Sequence, residues 1–370
     1  MMEDFMPASR ITFDDLRNFG ASSSIVSASL ALLLILFSGF RSSARAAGPA
    51  LWIASPQQQP GPPGAVGGLI ELRPGQLKAS GTPTQVTIEE GAEPLANSSG
   101  IVFQANGAAW VCTLNNTLLK FSPGQLSNLA AVPLPKPKVT ISSNQFGFNI
   151  GCTMNAFGAL WVVDAMHNAV HKYTRAQLLS ATATGGNVDM DPKVTITDDV
   201  DLSSPAFAAI DSAGNLWVSS FSNNKLVEFA ADQLGATGSP APHVVISSPS
   251  LDGPGQPAFD SSGNLWVTNA LNNTVVKFTP AQLAATGNPT ATAVISDDGS
   301  NSLVTPWGCT FDDVGRLWVY NYGTSSSVAT TISKFGPAQL AANGASSPTP
   351  HIVLSGLPPF AAQITFGPRY

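Results

Sequence analysis

The chain has 370 residues, only 11% of them charged, and a formal net charge of −6. An average soluble domain carries about 25% charged residues, so Ser, Thr, Asn, Gly and Pro supply the polarity here, which suits strands and turns better than helices. The acid excess makes a poor surface for phosphate backbones and sets nucleic-acid binding aside.

The first 46 residues stand apart from the rest. Residues 25–40 (IVSASLALLLILFSGF) are an apolar run too short to span a bilayer comfortably, which takes about 20 residues. Arg41 and then Ala44-Arg45-Ala46 follow, an A-x-A pattern suited to signal peptidase. Ahead of the run Glu3, Asp4, Asp14 and Asp15 outnumber Arg10 and Arg17, whereas the start of a signal peptide is ordinarily basic. The segment reads as a signal peptide, with an uncleaved signal anchor as the alternative. The protein is then extracytoplasmic, periplasmic or secreted, and meets a membrane only if the anchor is kept. Cys112, Cys152 and Cys309 are far apart and odd in number, so they indicate no disulfide framework and read as small buried side chains.

From residue 51 onward one unit repeats. Trp52, Trp110, Trp161, Trp217, Trp266 and Trp318 recur at a period of roughly 50 residues, the mark of a propeller, solenoid or array. Residues 259–296 (FDSSGNLWVTNALNNTVVKFTPAQLAATGNPTATAVIS) and 210–247 (IDSAGNLWVSSFSNNKLVEFAADQLGATGSPAPHVVIS) show it most clearly. Asp260-Ser261-Ser262-Gly263 predicts a tight turn, Leu265 to Val267 a strand, Asn272-Asn273 a second turn, and Val275 to Phe278 the next strand. Thr279-Pro280-Ala281-Gln282-Leu283 predicts one capped helical turn, and Ala293 to Ile295 a last strand. The first unit begins abruptly at Leu51-Trp52 without its innermost strand, while residues 360–368 (FAAQITFGP) match that strand and then the chain stops. The C-terminal strand is therefore expected to complete the N-terminal blade. The reading is all-β: a six-bladed β-propeller with four strands per blade.

The D-x-x-G-N-L-W-V turn and strand, followed by N-N-x-V-x-K-F, resembles the repeats of NHL-type propellers and of the superfamily that includes gluconolactonase-like proteins and virginiamycin B lyase. The resemblance covers residues 51–370. It implies a fold that hosts hydrolases, lyases and pure binding modules alike. In gluconolactonase-like relatives a divalent metal is held by Glu, Asn and Asp, the acids standing at the starts of inner strands. Here the matching positions are Ala362, Ser99, Ile150, Ala206, Gly255 and Trp307, none a carboxylate. Asp164, Asn269 and Asn321, with Asn149, are left as candidate ligands for calcium or zinc, a thin shell for a hard cation. The plainer reading is that Asp and Asn at strand ends cap turns. A lyase of the virginiamycin B type implies a His base, for which only His167, in the turn after Asp164, reaches the right face.

The position three after each Trp closes the second strand at the face taken as the top: Ser55, Thr113, Asp164, Ser220, Asn269 and Asn321. Inner-strand residues near the channel mouth include Cys152, Phe207, Gln256, Trp307, Cys309 and Gln363. The candidate ligand-binding set is Asn149, Asp164, His167, Gln256, Asn269, Trp307 and Asn321. Loops leading into the inner strands carry Glu89, Glu90, Glu93, Asp198, Asp199, Asp201, Asp252, Asp297 and Asp298, so the same face is acidic and draws cations. Insertions at 55–64 and 322–327 lengthen two loops there, as binding loops or as filler. The expected function is a monomeric module binding a small molecule or a protein through its acidic top face; the alternative is a metal-dependent lactone hydrolase.

Overall fold

The computed structural model describes residues 49–56, 68–83, 86–89, 95, 97–127, 136–323, 329–357 and 363–370. The signal-like segment, Glu90, Glu93, Ala362 and most of the two insertions lie outside them. The chain divides into two units, Met1–Ala47 and Gly48–Tyr370, and the described residues all belong to the second. Among them no helix is long and apolar enough to cross a membrane.

Six sheets, each with four antiparallel strands, follow one another along the chain, the innermost strand of each on the channel. Blade one joins the two ends of the propeller: Gln363–Gly367 pairs with Ala50–Ser55, setting Thr365 opposite Trp52 and Gln363 opposite Ala54. The closing strand expected from the sequence is thus in place, and it leaves no exposed inner edge. Blades two to six begin with inner strands Ser98–Phe103, Asn149–Met154, Pro205–Ile210, Pro254–Phe259 and Pro306–Phe311. Two blades exceed the expected four strands. Gly186–Asp189 lies parallel to the outer strand of blade two, and Gly344–Ser346 parallel to that of blade five. In each case chain leaving the helical turn of the next blade runs back along a free outer edge, giving its backbone groups partners.

The repeat motif is a hydrogen-bonded clamp. Asp260 Oδ1 accepts from the Ser262 and Asn264 amides, and Oδ2 from Asn264 Nδ2 and Trp266 Nε1 (3.0 Å). Asp211 and Asp312 hold Trp217 and Trp318 in the same way. Gly263 turns the chain at φ 78°, and Asn273 turns it again at φ 59°, a conformation Asn tolerates better than most residues. The Gln of each helical turn reaches back to the amide three residues earlier; Gln76, Gln125, Gln177, Gln233, Gln282 and Gln339 all do so. The turn varies in length, from Pro123–Leu126 in blade two to Arg175–Thr184 in blade three.

The core lies between blades, where the Trp of one blade is buried against the inner strand of the next. Lys120, Lys172, Lys277 and Lys334 lie over Trp110, Trp161, Trp266 and Trp318 at 5.3, 5.2, 5.3 and 5.2 Å from the rings. The inner strands of blades two to six share an irregularity that positions the channel mouth. Each shifts register near its start, for instance between Asn149 and Gly151 and between Pro306 and Gly308, a bulge that re-aims one residue per strand.

Candidate functional site

Inside the bulge the channel is filled by three large side chains facing three glycines. Gln363 crosses Gly100 of blade two to blade three, where its amide accepts from Cys152 N (3.2 Å) and donates to Cys152 O (2.9 Å). Gln256 crosses Gly308 of blade six in the same manner to Ile364 of blade one, at 3.2 and 3.0 Å. Each amide thus imitates a strand partner. A Cβ on Gly100 would lie 2.6 Å from Gln363 Oε1, and one on Gly151 2.5 Å from the ring of Phe207. Phe207, Gln256 and Gln363 are all buried, so the polar groups of Gln256 serve the ring itself.

Above this plug sit the bulge residues Ser99, Ile150, Ala206, Gly255 and Trp307. Trp307 meets Phe207 and Phe221 edge-on, with ring centroids 5.8 and 5.2 Å apart, and Ile150 and Ala206 complete an apolar cluster. Thr268 Oγ1 donates to Trp307 O at 2.9 Å, which fixes the bulge of blade six. Leu271, 63% exposed, extends the surface: a Cβ on Gly253 would touch both Leu271 and Phe221. Phe148, Met166 and Val200 are exposed on the same face, in the top loops of blades three and four.

Asp164 has no surface to offer. Its Oδ1 accepts from the amides of Phe148 (2.9 Å), Met166 (3.0 Å) and His167 (3.3 Å). Its Oδ2 accepts from Gly147 N (2.7 Å), His167 Nδ1 (2.9 Å) and His171 Nε2 (3.2 Å). Burial opposes ionisation, but these bonds, that from His171 foremost, hold the carboxyl well below the ordinary range. Its role is to pin the loop that enters the inner strand. Ser220 and Asn269 do the same in their blades, accepting from Ser203 N (2.7 Å) and Asp252 N (3.1 Å). Asn269 Nδ2 donates to Ser250 O and Thr274 Oγ1, and Asn321 Nδ2 to Ser302 O and Thr331 Oγ1.

Asp164, Asn269 and Asn321 therefore each turn to their own blade and do not converge. Among the described residues no group of three or more His, Cys, Asp and Glu could hold a metal ion. Of the three, Asp164 has both oxygens and Asn269 its Oδ1 taken by hydrogen bonds, while Asn321 Oδ1 is buried without a partner among the described residues. Asn149 is fully buried opposite Asp164, its carbonyl accepts from Ser99 Oγ, and neither polar atom of its side chain has a partner among the described residues. His167 is half-exposed, and its Nε2 makes no hydrogen bond there.

The acidic loops are partly used by their own turns. Asp198 accepts from the Val200 and Asp201 amides, and Asp201 pairs with Lys225 at 2.8 Å. Asp297 accepts from Gly299, Ser302 and Leu303, while the Ser300 hydroxyl leads the bonds that bring the Asp298 carboxyl down to about 2. Asp199 is exposed, and Asp252 and Asp298 are partly so. Phe148, Phe221 and Met166 were not singled out by sequence reasoning, because loop residues carry no periodic signal. His171 reads as an ordinary third-strand residue until the fold places it beneath Asp164.

The fold and this plugged, apolar-mouthed channel are those of a six-bladed β-propeller. A streptogramin B lyase is similar over 89% of this chain and 96% of its own, at 13% identity and a TM-score of 0.52. A protein of unknown function from Bacteroides caccae is similar over 86% of this chain and 99% of its own, at 9% identity and a TM-score of 0.56. A virginiamycin B lyase from Staphylococcus aureus, solved with quinupristin, is similar over 74% and 84%, at 14% identity and a TM-score of 0.48. At such identities the likeness is one of fold. No protein-family model matches the chain, and no curated protein sequence matches it.

Proposed function

We propose that the chain is an exported binding module that takes a ligand or partner protein on its top face. The observation that carries this reading is the apolar mouth formed by Trp307, Phe221 and Leu271, with acidic loops around it. Contiguous exposed apolar surface marks interaction sites on soluble proteins, and the carboxylates of Asp199, Asp252 and Asp298 concentrate cations near it. A partner combining an apolar body with positive charge fits both features. The unpartnered amide of Asn149 lies on the same side of the ring.

The metal-dependent lactone hydrolase needs oxygens free to bind a cation, and those of Asp164 already accept six hydrogen bonds. One experiment separates the two readings. Metal content is measured, and melting temperature is followed with calcium, zinc or chelator and against a panel of amphipathic cations and lactones. A ligand that binds only the native state raises the melting temperature. Shifts by amphipathic cations that vanish in Trp307→Ala support the binding module. A bound metal whose removal lowers stability, together with lactone turnover, replaces it with the hydrolase.

A further inference from the structure

On the face opposite the channel mouth, an open cleft of about 720 Å³ lies between blades four and five, over Trp217 and Glu228 and against Phe259, Gly263 and Pro280. The repeat shows what the equivalent space holds elsewhere. In blades two, three, five and six a lysine lies across the tryptophan. Lys172 and Lys277 go on to donate to the carbonyls of Leu234 (2.8 Å) and Leu340 (3.3 Å) in the helical turn of the next blade. In blades one and four the register instead sets a glutamate opposite the tryptophan, Glu71 by Trp52 and Glu228 by Trp217.

In blade one the chain's own C-terminus fills the space. The ring of Tyr370 packs edge-on against Trp52 at 6.0 Å, beside Phe103. Its hydroxyl donates to the Gly107 carbonyl, and its backbone N–H donates to Glu71 Oε1 at 3.2 Å. Arg73 Nε takes the other oxygen, Glu71 Oε2, at 3.2 Å.

Blade four reproduces these surroundings. Trp217 stands for Trp52, Phe259 for Phe103, Gly263 for Gly107 and Pro280 for Pro123. His243 Nδ1, 2.9 Å from Glu228 Oε2, stands for Arg73. Among the described residues nothing stands for Tyr370. Glu228 is only 3% exposed, yet its Oε1 accepts no hydrogen bond there. That oxygen borders the cleft, so a ligand seated there can give the otherwise buried Glu228 carboxylate a charge-assisted donor.

We propose that this cleft binds a 4-hydroxyphenylalkylamine of the tyramine type. The atoms that Tyr370 presents in blade one, from its nitrogen through the side chain to the hydroxyl, are the tyramine skeleton. In blade four the ammonium donates to Glu228 Oε1, the ring lies between Trp217 and Phe259, and the hydroxyl donates to the Gly263 carbonyl. Asp211 and Asp260 also line the cleft and no Lys or Arg does, so a cationic amine is preferred over a neutral one.

Isothermal titration of the protein with tyramine tests this, beside phenethylamine, which lacks the hydroxyl, and p-cresol, which lacks the amine. One equivalent of tyramine is expected to bind, more tightly than either partial ligand. Glu228→Gln, close to isosteric, is expected to weaken binding about 10- to 100-fold, the worth of a charge-assisted hydrogen bond. Glu228→Lys installs the arrangement of four other blades and is expected to abolish binding without lowering the melting temperature. If the lysine variant does not fold, the glutamine variant alone decides. No saturable binding up to about 10 mM, a concentration above even millimolar affinities, overturns the proposal. So does binding of equal strength in wild type and the Glu228 variants.

Discussion

Replacing Asp164 by Ala distinguishes a structural carboxylate from a metal ligand. The substitution strands the buried His171 Nε2 and the partly buried Gly147 and Phe148 amides, while water can reach the Met166 and His167 donors. A bond from a buried group to a charged acceptor is worth about 1.5–3 kcal/mol and the two partly buried amides about 1 kcal/mol each, so the loss comes to about 4 kcal/mol. With an unfolding entropy of roughly 2.1 cal/mol/K per residue over about 320 residues, the melting temperature falls by about 6 °C. The effect is also pH-dependent. The folded carboxyl titrates below its unfolded value, so its stabilisation is fully present above about pH 4 and is lost as pH falls from there toward the folded pKa. Differential scanning calorimetry of wild type and Asp164→Ala from neutral pH down to acid, with and without chelator, reads all of this. An unchanged melting temperature in the variant refutes the reasoning, as does a wild-type melting temperature that chelator lowers by the same amount.

Gly100→Ala places a Cβ 2.6 Å from Gln363 Oε1 and 3.0 Å from Cys152 N. It is expected to break the bridge across blade two at about 2–3 kcal/mol, and to combine less than additively with Gln363→Ala in a thermal denaturation cycle. Asp260→Ala removes the acceptor of Trp266 Nε1, of Asn264 Nδ2 and of two backbone amides. The expected loss is about 2 kcal/mol by chemical denaturation, without change in the top face. Deleting Tyr370 removes both the ring against Trp52 and the backbone N–H on Glu71, and titration with tyramine is expected to rise from one equivalent to two; a second equivalent in wild type would contradict the assignment of Tyr370 as the occupant.

Much of the ring is legible in the sequence because its signals are local. The clamp joining Asp260, Asn264 and Trp266 closes within seven residues, and the Gln of each helical turn reaches back only three. Repeated at a fixed period, such motifs specify strand, turn and blade, and the unmatched strand at the C-terminus specifies closure. The tertiary structure alone decides what the polar groups do. Asp164, Asn269 and Asn321 look alike at their strand ends, but the loop that returns to each determines whether any oxygen is left over. Gln256 and Gln363 become plugs only because closure brings residues 108 and 211 positions away within reach of their amides. Glu71 and Glu228 break the lysine pattern in the same way, yet only the C-terminus, arriving from 299 positions away, fills one cleft and leaves the other open. Periodicity encodes contacts between neighbours in the chain, whereas the state of a site depends on donors delivered from elsewhere in the ring.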